Sequence, residues 1–427
     1  MTSISYTLPG LAITDRSFTV PLDWARPDGD TISLFLREVV DPTRKTEDLP
    51  YLLFLQGGPG GKANRPQAGS PPWLDVALKQ FRVLLLDQRG TGRSSPVEGR
   101  HMSAIDDAEK GADLLACFRA DSIIKDVEHL RKTYYGGCTW STLGQSYGGF
   151  LTLTYLSYAP EALEACYVTG GLAGITADAD DVYARTYPRV QTKTEQFYAR
   201  YPQNVEHVAK IADRLAEGET RLPDGDLLTV ERFQTLGMDF GMAPGFENVH
   251  YLIDEAFAND DAFSDTFLHE VMVRTGYATN PLFAALQETI YAQNGNVSNW
   301  AAHRVRDAHP AFAPDQRPLM FTGEMMYPWM FDDIRALRPF KAATDALAKR
   351  KFDAPFYDLD RLRDNTVPVA AAVYFNDMYV DANLSLETAA QVGSLRTWVT
   401  DEYEHDGLRK DTRVLQRLFD MVQRNIQ

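Results

Sequence analysis

Apolar and polar positions divide this chain into three regimes. Short, nearly continuous apolar runs alternate with helical periods from residue 17 to residue 169, and helical periods stand alone from 173 to 350. The alternation then returns at residue 367. In the first regime, Phe18-Thr-Val-Pro-Leu22 and Thr31–Val40 flank the turn-forming Arg26-Pro-Asp-Gly-Asp30 and predict two antiparallel strands. Tyr51-Leu-Leu-Phe-Leu55 and Arg82-Val-Leu-Leu-Leu-Asp87 are runs of the kind buried on both faces of a parallel sheet, and the β-rich Cys138 to Leu143 and Ala165-Cys-Tyr-Val-Thr169 predict two further strands. Between them, residues 119–135 place Ile123, Val127 and Leu130 on one helical face, and Gly136-Gly137 ends that helix. Phe150 to Tyr158 is a second, apolar helical run. Strands alternating with helices predict an α/β fold with a mostly parallel sheet.

The middle regime reads differently. Helices are predicted over Tyr183–Tyr201, Val205–Leu215, Val230–Leu236, Val249–Phe257, Asp265–Tyr277 and Pro281–Tyr291, many of them rich in aromatic residues. No parallel-sheet run interrupts them. The expected organisation is a core built from residues 1–172 and 351–427, with residues 173–350 inserted between later core strands as a helical cap. Val367–Phe375 resumes the core as a buried strand, followed by a helix from Leu384 to Val392, a strand from Leu395 to Thr400 and a C-terminal helix from Gly407 to Arg424.

Composition narrows the classes of function. With 427 residues, 44% of them hydrophobic and 24% charged, the chain is that of a soluble globular protein of two domains, or of one domain with a large insertion. Its formal charge is 43 − 59 = −16, which disfavours nucleic acid and anionic membrane as partners. Three cysteines (Cys117, Cys138, Cys166) do not make a disulfide framework. The first residues lack a basic segment followed by an apolar one, and no run approaches the ~20 apolar residues of a membrane span. The expectation is a cytoplasmic protein.

One stretch carries chemistry. Gly144-Gln-Ser-Tyr-Gly148 lies between the run ending at Leu143 and the helix at Phe150, fitting Gly-x-Ser-x-Gly at a strand–turn–helix elbow. Such a turn lifts a serine oxygen clear of the sheet and makes Ser146 a candidate nucleophile. A serine nucleophile needs a base, and the base an orienting acid, placed later in the chain in the order Ser, acid, His. Strand 367–375 runs into Asn376-Asp377-Met-Tyr-Val-Asp381, so Asp377 is the nearest carboxylate, with Asp381 the next choice. Strand 395–400 runs into Asp401-Glu-Tyr-Glu-His405, and His405 is the sole histidine after residue 309. The tetrahedral oxyanion needs two N–H donors. Tyr147, after the nucleophile, is one; Gly58, preferred over Gly57 in the loop Gln56-Gly-Gly-Pro-Gly-Gly61, is the other.

Rival motifs fail. Gly57 to Lys62 lacks the Ser/Thr of a phosphate loop because Ala63 stands there. His269-Glu270 has no second zincin histidine. Asp178-Ala-Asp-Asp181 lacks the glycine and final glutamate of a calcium loop and reads as the acidic first turn of a helix. No metal and no organic cofactor is indicated.

Gln56–Gly61, Asp87-Gln-Arg-Gly-Thr-Gly-Arg-Ser94 and Gly144–Gly149, in this order and spacing, resemble the prolyl aminopeptidases (proline iminopeptidases). Gly323-Glu-Met-Met-Tyr-Pro-Trp329, Asn376–Asp381 and Glu402–Gly407 resemble a longer bacterial branch of that family. The resemblance implies the α/β-hydrolase fold and release of N-terminal proline from small peptides with a free N-terminus. Ser146 would attack, His405 shuttle the proton and Asp377 orient His405. It also implies glutamates on the cap that bind the substrate's amine. Glu288 and Glu324 are candidates by their apolar company. Two alternatives stay open: a carboxylesterase or amidase using the same three residues, and a non-catalytic binding module.

Overall fold

The computed structural model describes residues 2–258 and 261–423. Nine strands form one sheet: β1 (Thr2–Leu8), β2 (Leu11–Pro21), β3 (Thr31–Val40), β4 (Tyr51–Leu55), β5 (Arg82–Asp87), β6 (Trp140–Gln145), β7 (Leu163–Thr169), β8 (Val369–Tyr374) and β9 (Leu395–Thr400). Their spatial order is β1-β2-β3-β5-β4-β6-β7-β8-β9. β1, β2 and β3 pair antiparallel, as does β3 with β5, and every pairing from β5 onward is parallel.

Side chains alternate between the two faces with the strand period of two, and both faces of β4, β5 and β8 are covered, which is why those runs are almost entirely apolar. Leu53 and Leu55 of β4 join one core cluster, whereas Leu52 and Phe54 join the other. On the second face, Trp73 stacks on Phe54 at 4.7 Å, and Val414, Leu415, Leu418 and Phe419 of the last helix complete the layer. The first face packs against the helices Ala120–Tyr134 and Tyr147–Tyr158.

From the end of β7 to the start of β8 the chain adds no strand to the sheet among the described residues. Its aromatic richness is a packing device. Phe197, Phe240, Phe246 and Phe321 form one knot, with ring centroids 4.8 Å apart for Phe197–Phe240 and 5.0 Å for Phe240–Phe246. The acidic residues at 178–181 open the helix Ala179–Arg200, where the Asp178 carboxylate accepts from the Asp181 N–H at 3.0 Å. Helix Lys341–Lys349 packs on Ala108–Ala116, where a Cβ at Gly111 would sit 2.6 Å from that of Ala343.

Several elements differ from expectation. β1 was not predicted, and β2 begins at Leu11 rather than Phe18 because the two form a hairpin whose first strand is exposed along its length. The helix expected over Gly407–Arg424 breaks at Asp411, which is extended and caps the second piece, Thr412–Gln423. Arg424 lies outside the described residues. The helix expected from Val230 tightens to 3-10 geometry at Thr235, and Pro281–Leu286 does the same at Gln287.

Candidate active site

β6 ends at Gln145 and helix Tyr147–Tyr158 begins two residues later, leaving Ser146 alone at the apex. Its backbone has φ 56° and ψ −127°, a conformation that side-chain-bearing residues avoid. Two bonds hold it there: the Ser146 N–H donates to Thr169 O at 3.0 Å, and Ser146 O accepts from the Gly149 N–H at 2.7 Å. A Cβ on Gly148 would lie 1.9 Å from Leu55 O, so only glycine lets the helix start this close to β4. Tyr147 is the first helical residue, and its N–H has no intrahelical acceptor.

β8 delivers Asp377 and β9 delivers His405. The His405 Nδ1 lies 2.6 Å from Asp377 Oδ2; a carboxylate only accepts, so Nδ1–H donates and Nε2 is left to take a proton. The other Asp377 oxygen accepts from the N–H groups of Tyr379 (2.8 Å) and Val380 (3.1 Å), fixing its orientation. Both side chains are buried. Burial opposes charge on His405, yet the Asp377 carboxylate and its hydrogen bond, with Glu324 beyond, outweigh it and raise the imidazole pKa above its usual value. Asp381 is spent elsewhere: its Oδ1 accepts from Asn383 N and Leu384 N, both at 3.0 Å, as the cap of helix Ala382–Ala389.

Ser146, His405, Gly57, Gly58 and Glu324 line one cavity of about 880 Å³. The two candidate glutamates part here. Glu324 faces the cavity, and desolvation lifts its pKa to about 7, against the pull of His405. Glu288 does not line it; its carboxylate accepts from the N–H groups of Ala301 and Ala302, both at 2.9 Å, at the start of helix Ala301–Arg306. It is a helix anchor, which corrects its candidacy for the substrate amine.

Residues to which the sequence assigns no chemical role hold this site together. Gln88 Nε2 donates to Gln56 O at 2.8 Å, tying the glycine-rich loop to the end of β5. Asp87 accepts both Arg65 N–H groups (2.7 and 2.6 Å), and Arg89 is sealed in the core by Asp126 (2.7 and 2.6 Å). The Asp87–Ser94 motif is therefore scaffolding for the loop at Gly57 and Gly58, and its conspicuous run of charge was the available signal. Arg409 Nε donates to Gln145 Oε1 at 2.9 Å, linking the segment after His405 to the residue before Ser146. From the far side, Lys193 donates to both oxygens of Glu404 (2.5 and 2.6 Å), and Gly241 O accepts the His405 N–H at 3.0 Å. Among the described residues, no group of three or more His, Cys, Asp or Glu is placed to hold a metal ion.

A sheet of this order with a serine elbow after its central β6 has the architecture of a serine hydrolase of the α/β-hydrolase fold, and the model of that fold family matches residues 50–213. The relatives are narrower in kind. The chain is 45% identical over 423 residues to a proline iminopeptidase of Aeromonas sobria, covering 97% of this chain and 98% of the relative. It is 34% identical to a proline iminopeptidase of Aspergillus aculeatus, across 97% and 95% of the two chains. The chain belongs to the proline iminopeptidase family. Among solved structures, a proline iminopeptidase of Mycobacterium smegmatis aligns over 96% of this chain and 98% of its own, at 13% identity and a TM-score of 0.46.

Proposed function

We propose that this protein is a serine aminopeptidase that releases N-terminal proline from short peptides through an acyl-enzyme. The observation that carries the reading is a carboxylate, Glu324, in the same cavity as Ser146 and His405. Esterases have no use for a desolvated acid beside the nucleophile; a peptidase that selects a free N-terminus needs one to pair the cationic imino group. The two full-length proline iminopeptidase relatives support the same assignment. Residues 173–350 are the cap over core segments 1–172 and 351–427, and Glu324 is the cap's contribution to the site. A cytoplasmic location fits the three unpaired thiols.

The chemistry follows from the donors and acceptors in place. Glu324 pairs the imino cation and sets the first carbonyl against Ser146. His405 Nε2 takes the hydroxyl proton as Oγ bonds to the carbonyl carbon. The oxyanion is met by the N–H groups of Tyr147 and Gly58. Asp377 holds the imidazolium. Collapse passes that proton to the departing amine, and water, deprotonated by His405 in turn, releases proline. Ser146→Ala is expected to fold normally and to lose turnover of a proline anilide by about 10⁴–10⁶-fold. Retained turnover in that variant overturns the assignment of the nucleophile.

A further inference from the structure

We propose that the groove leaving the catalytic cavity beside the glycine-rich loop binds the far end of the peptide, with Lys62 and Arg335 receiving its terminal α-carboxylate. The proposal rests on the aminopeptidase reading and extends it from the substrate's N-terminus to its C-terminus. The groove is a second cavity of about 890 Å³ that shares the lining residues Gly61, Asn280 and Arg335 with the first, so the two adjoin. Glu324 lines only the catalytic part, which sets the direction: amine inside, carboxyl end outward.

The distances suit a short peptide. A Cβ on Gly57 would lie 2.9 Å from that of Ser146, and one on Gly61 would lie 2.4 Å from Gly57 O. Lys62 follows Gly61 directly. An extended residue spans about 3.3–3.6 Å, so the Lys62 ammonium lies within reach of a peptide ending a few residues beyond the scissile bond.

The charge is the second ground. Four charged side chains line the groove, and two of them, Glu98 and Arg100, neutralise each other at 2.8 Å. Lys62 and Arg335 make no ion pair among the described residues; the Arg335 guanidinium donates only to the carbonyl of Asp224, at 3.2 Å. The Asp224 carboxylate lines the catalytic cavity and accepts from the Asp226 N–H at 3.1 Å. Two unneutralised cations thus line the groove, Arg335 where it meets the catalytic cavity, in a chain of net charge −16 whose overall field repels carboxylates. A small peptide presents one such carboxylate at this position, and an ammonium and a planar guanidinium are suited to hold it.

The test compares kcat/KM for Pro-Ala-Ala with a free carboxylate and for the same peptide as its C-terminal amide, at low salt. Proline anilide is run in parallel as a substrate without a tail. The wild-type protein is expected to favour the acid by about 3- to 10-fold, the size of one or two exposed charge contacts. In Lys62→Ala/Arg335→Ala the ratio is expected to fall to about one, and in Lys62→Glu to invert. Because the readout is a ratio within each variant, partial misfolding does not imitate it. A wild-type ratio near one, or a ratio unchanged in both variants, overturns the groove while anilide turnover leaves the aminopeptidase standing. Absence of turnover on all three substrates overturns both.

Discussion

Glu324 and His405 line one cavity, and each moves the other's titration. Desolvation puts the Glu324 carboxyl at about 7, and the same carboxylate helps raise His405. As pH falls through that range, Glu324 becomes neutral and loses its hold on the substrate cation, while His405 becomes protonated and stops being a base. Both changes act in one direction, so kcat/KM is expected to fall on the acid side of about pH 7. In Glu324→Gln the amine loses its partner, a loss of about 2–5 kcal/mol, or some 30-fold or more in kcat/KM. The acid limb is also expected to move to lower pH, because a charge that raised His405 is gone. A pH profile of kcat/KM on a proline anilide measures both, and an unmoved limb with an unchanged KM removes Glu324 from this role. At this scale Ser146, Asp377 and His405 were legible because chain order in the fold dictates where each must fall. Glu288 and Glu324 were not separable, because both sit in apolar sequence. What separates them is the pair of N–H groups at Ala301 and Ala302, which are distant in the chain and meet Glu288 only in three dimensions.

The elements show a similar division. The buried strands β4, β5 and β8 announced themselves through nearly uninterrupted apolar runs, whereas β1 did not. Ile4, Tyr6 and Leu8 alternate with Thr and Ser, but the whole strand is exposed and makes no core whose pattern would show. The middle helices were legible as helices, but their attachment to the catalytic loop was not. That attachment runs through Lys193 of helix Ala179–Arg200, whose buried ammonium grips Glu404 next to His405. Removing one partner strands the other in a poorly hydrated place. Lys193→Met is expected to cost about 3 kcal/mol, the low end for breaking a buried pair since Glu404 keeps some contact with water. Denaturant unfolding followed by far-UV circular dichroism measures this. A variant as stable as the parent shows that the pair does not hold these two parts together.

At the scale of the whole molecule, the sheet supplies a hydrolase, and on the proposed reading the chain between β7 and β8 selects its substrate. Ser146, Asp377 and His405 come from the carboxyl ends of β6, β8 and β9, an arrangement that serves many acyl transfers. Glu324 and the methionine-rich wall of Met238, Met242 and Met272 come from the intervening chain. A soft apolar wall with one desolvated carboxylate suits a small apolar ring bearing a positive charge, which is what an N-terminal proline presents. The enzyme's selectivity therefore turns on the requirement for that charge. It is tested most directly by comparing proline anilide with N-acetylproline anilide at neutral pH, since the two differ only in the imino group. Turnover of the free secondary amine with a loss of about 30-fold or more on acetylation is the expected result. Comparable rates on the two would contradict the account and leave an amidase in its place.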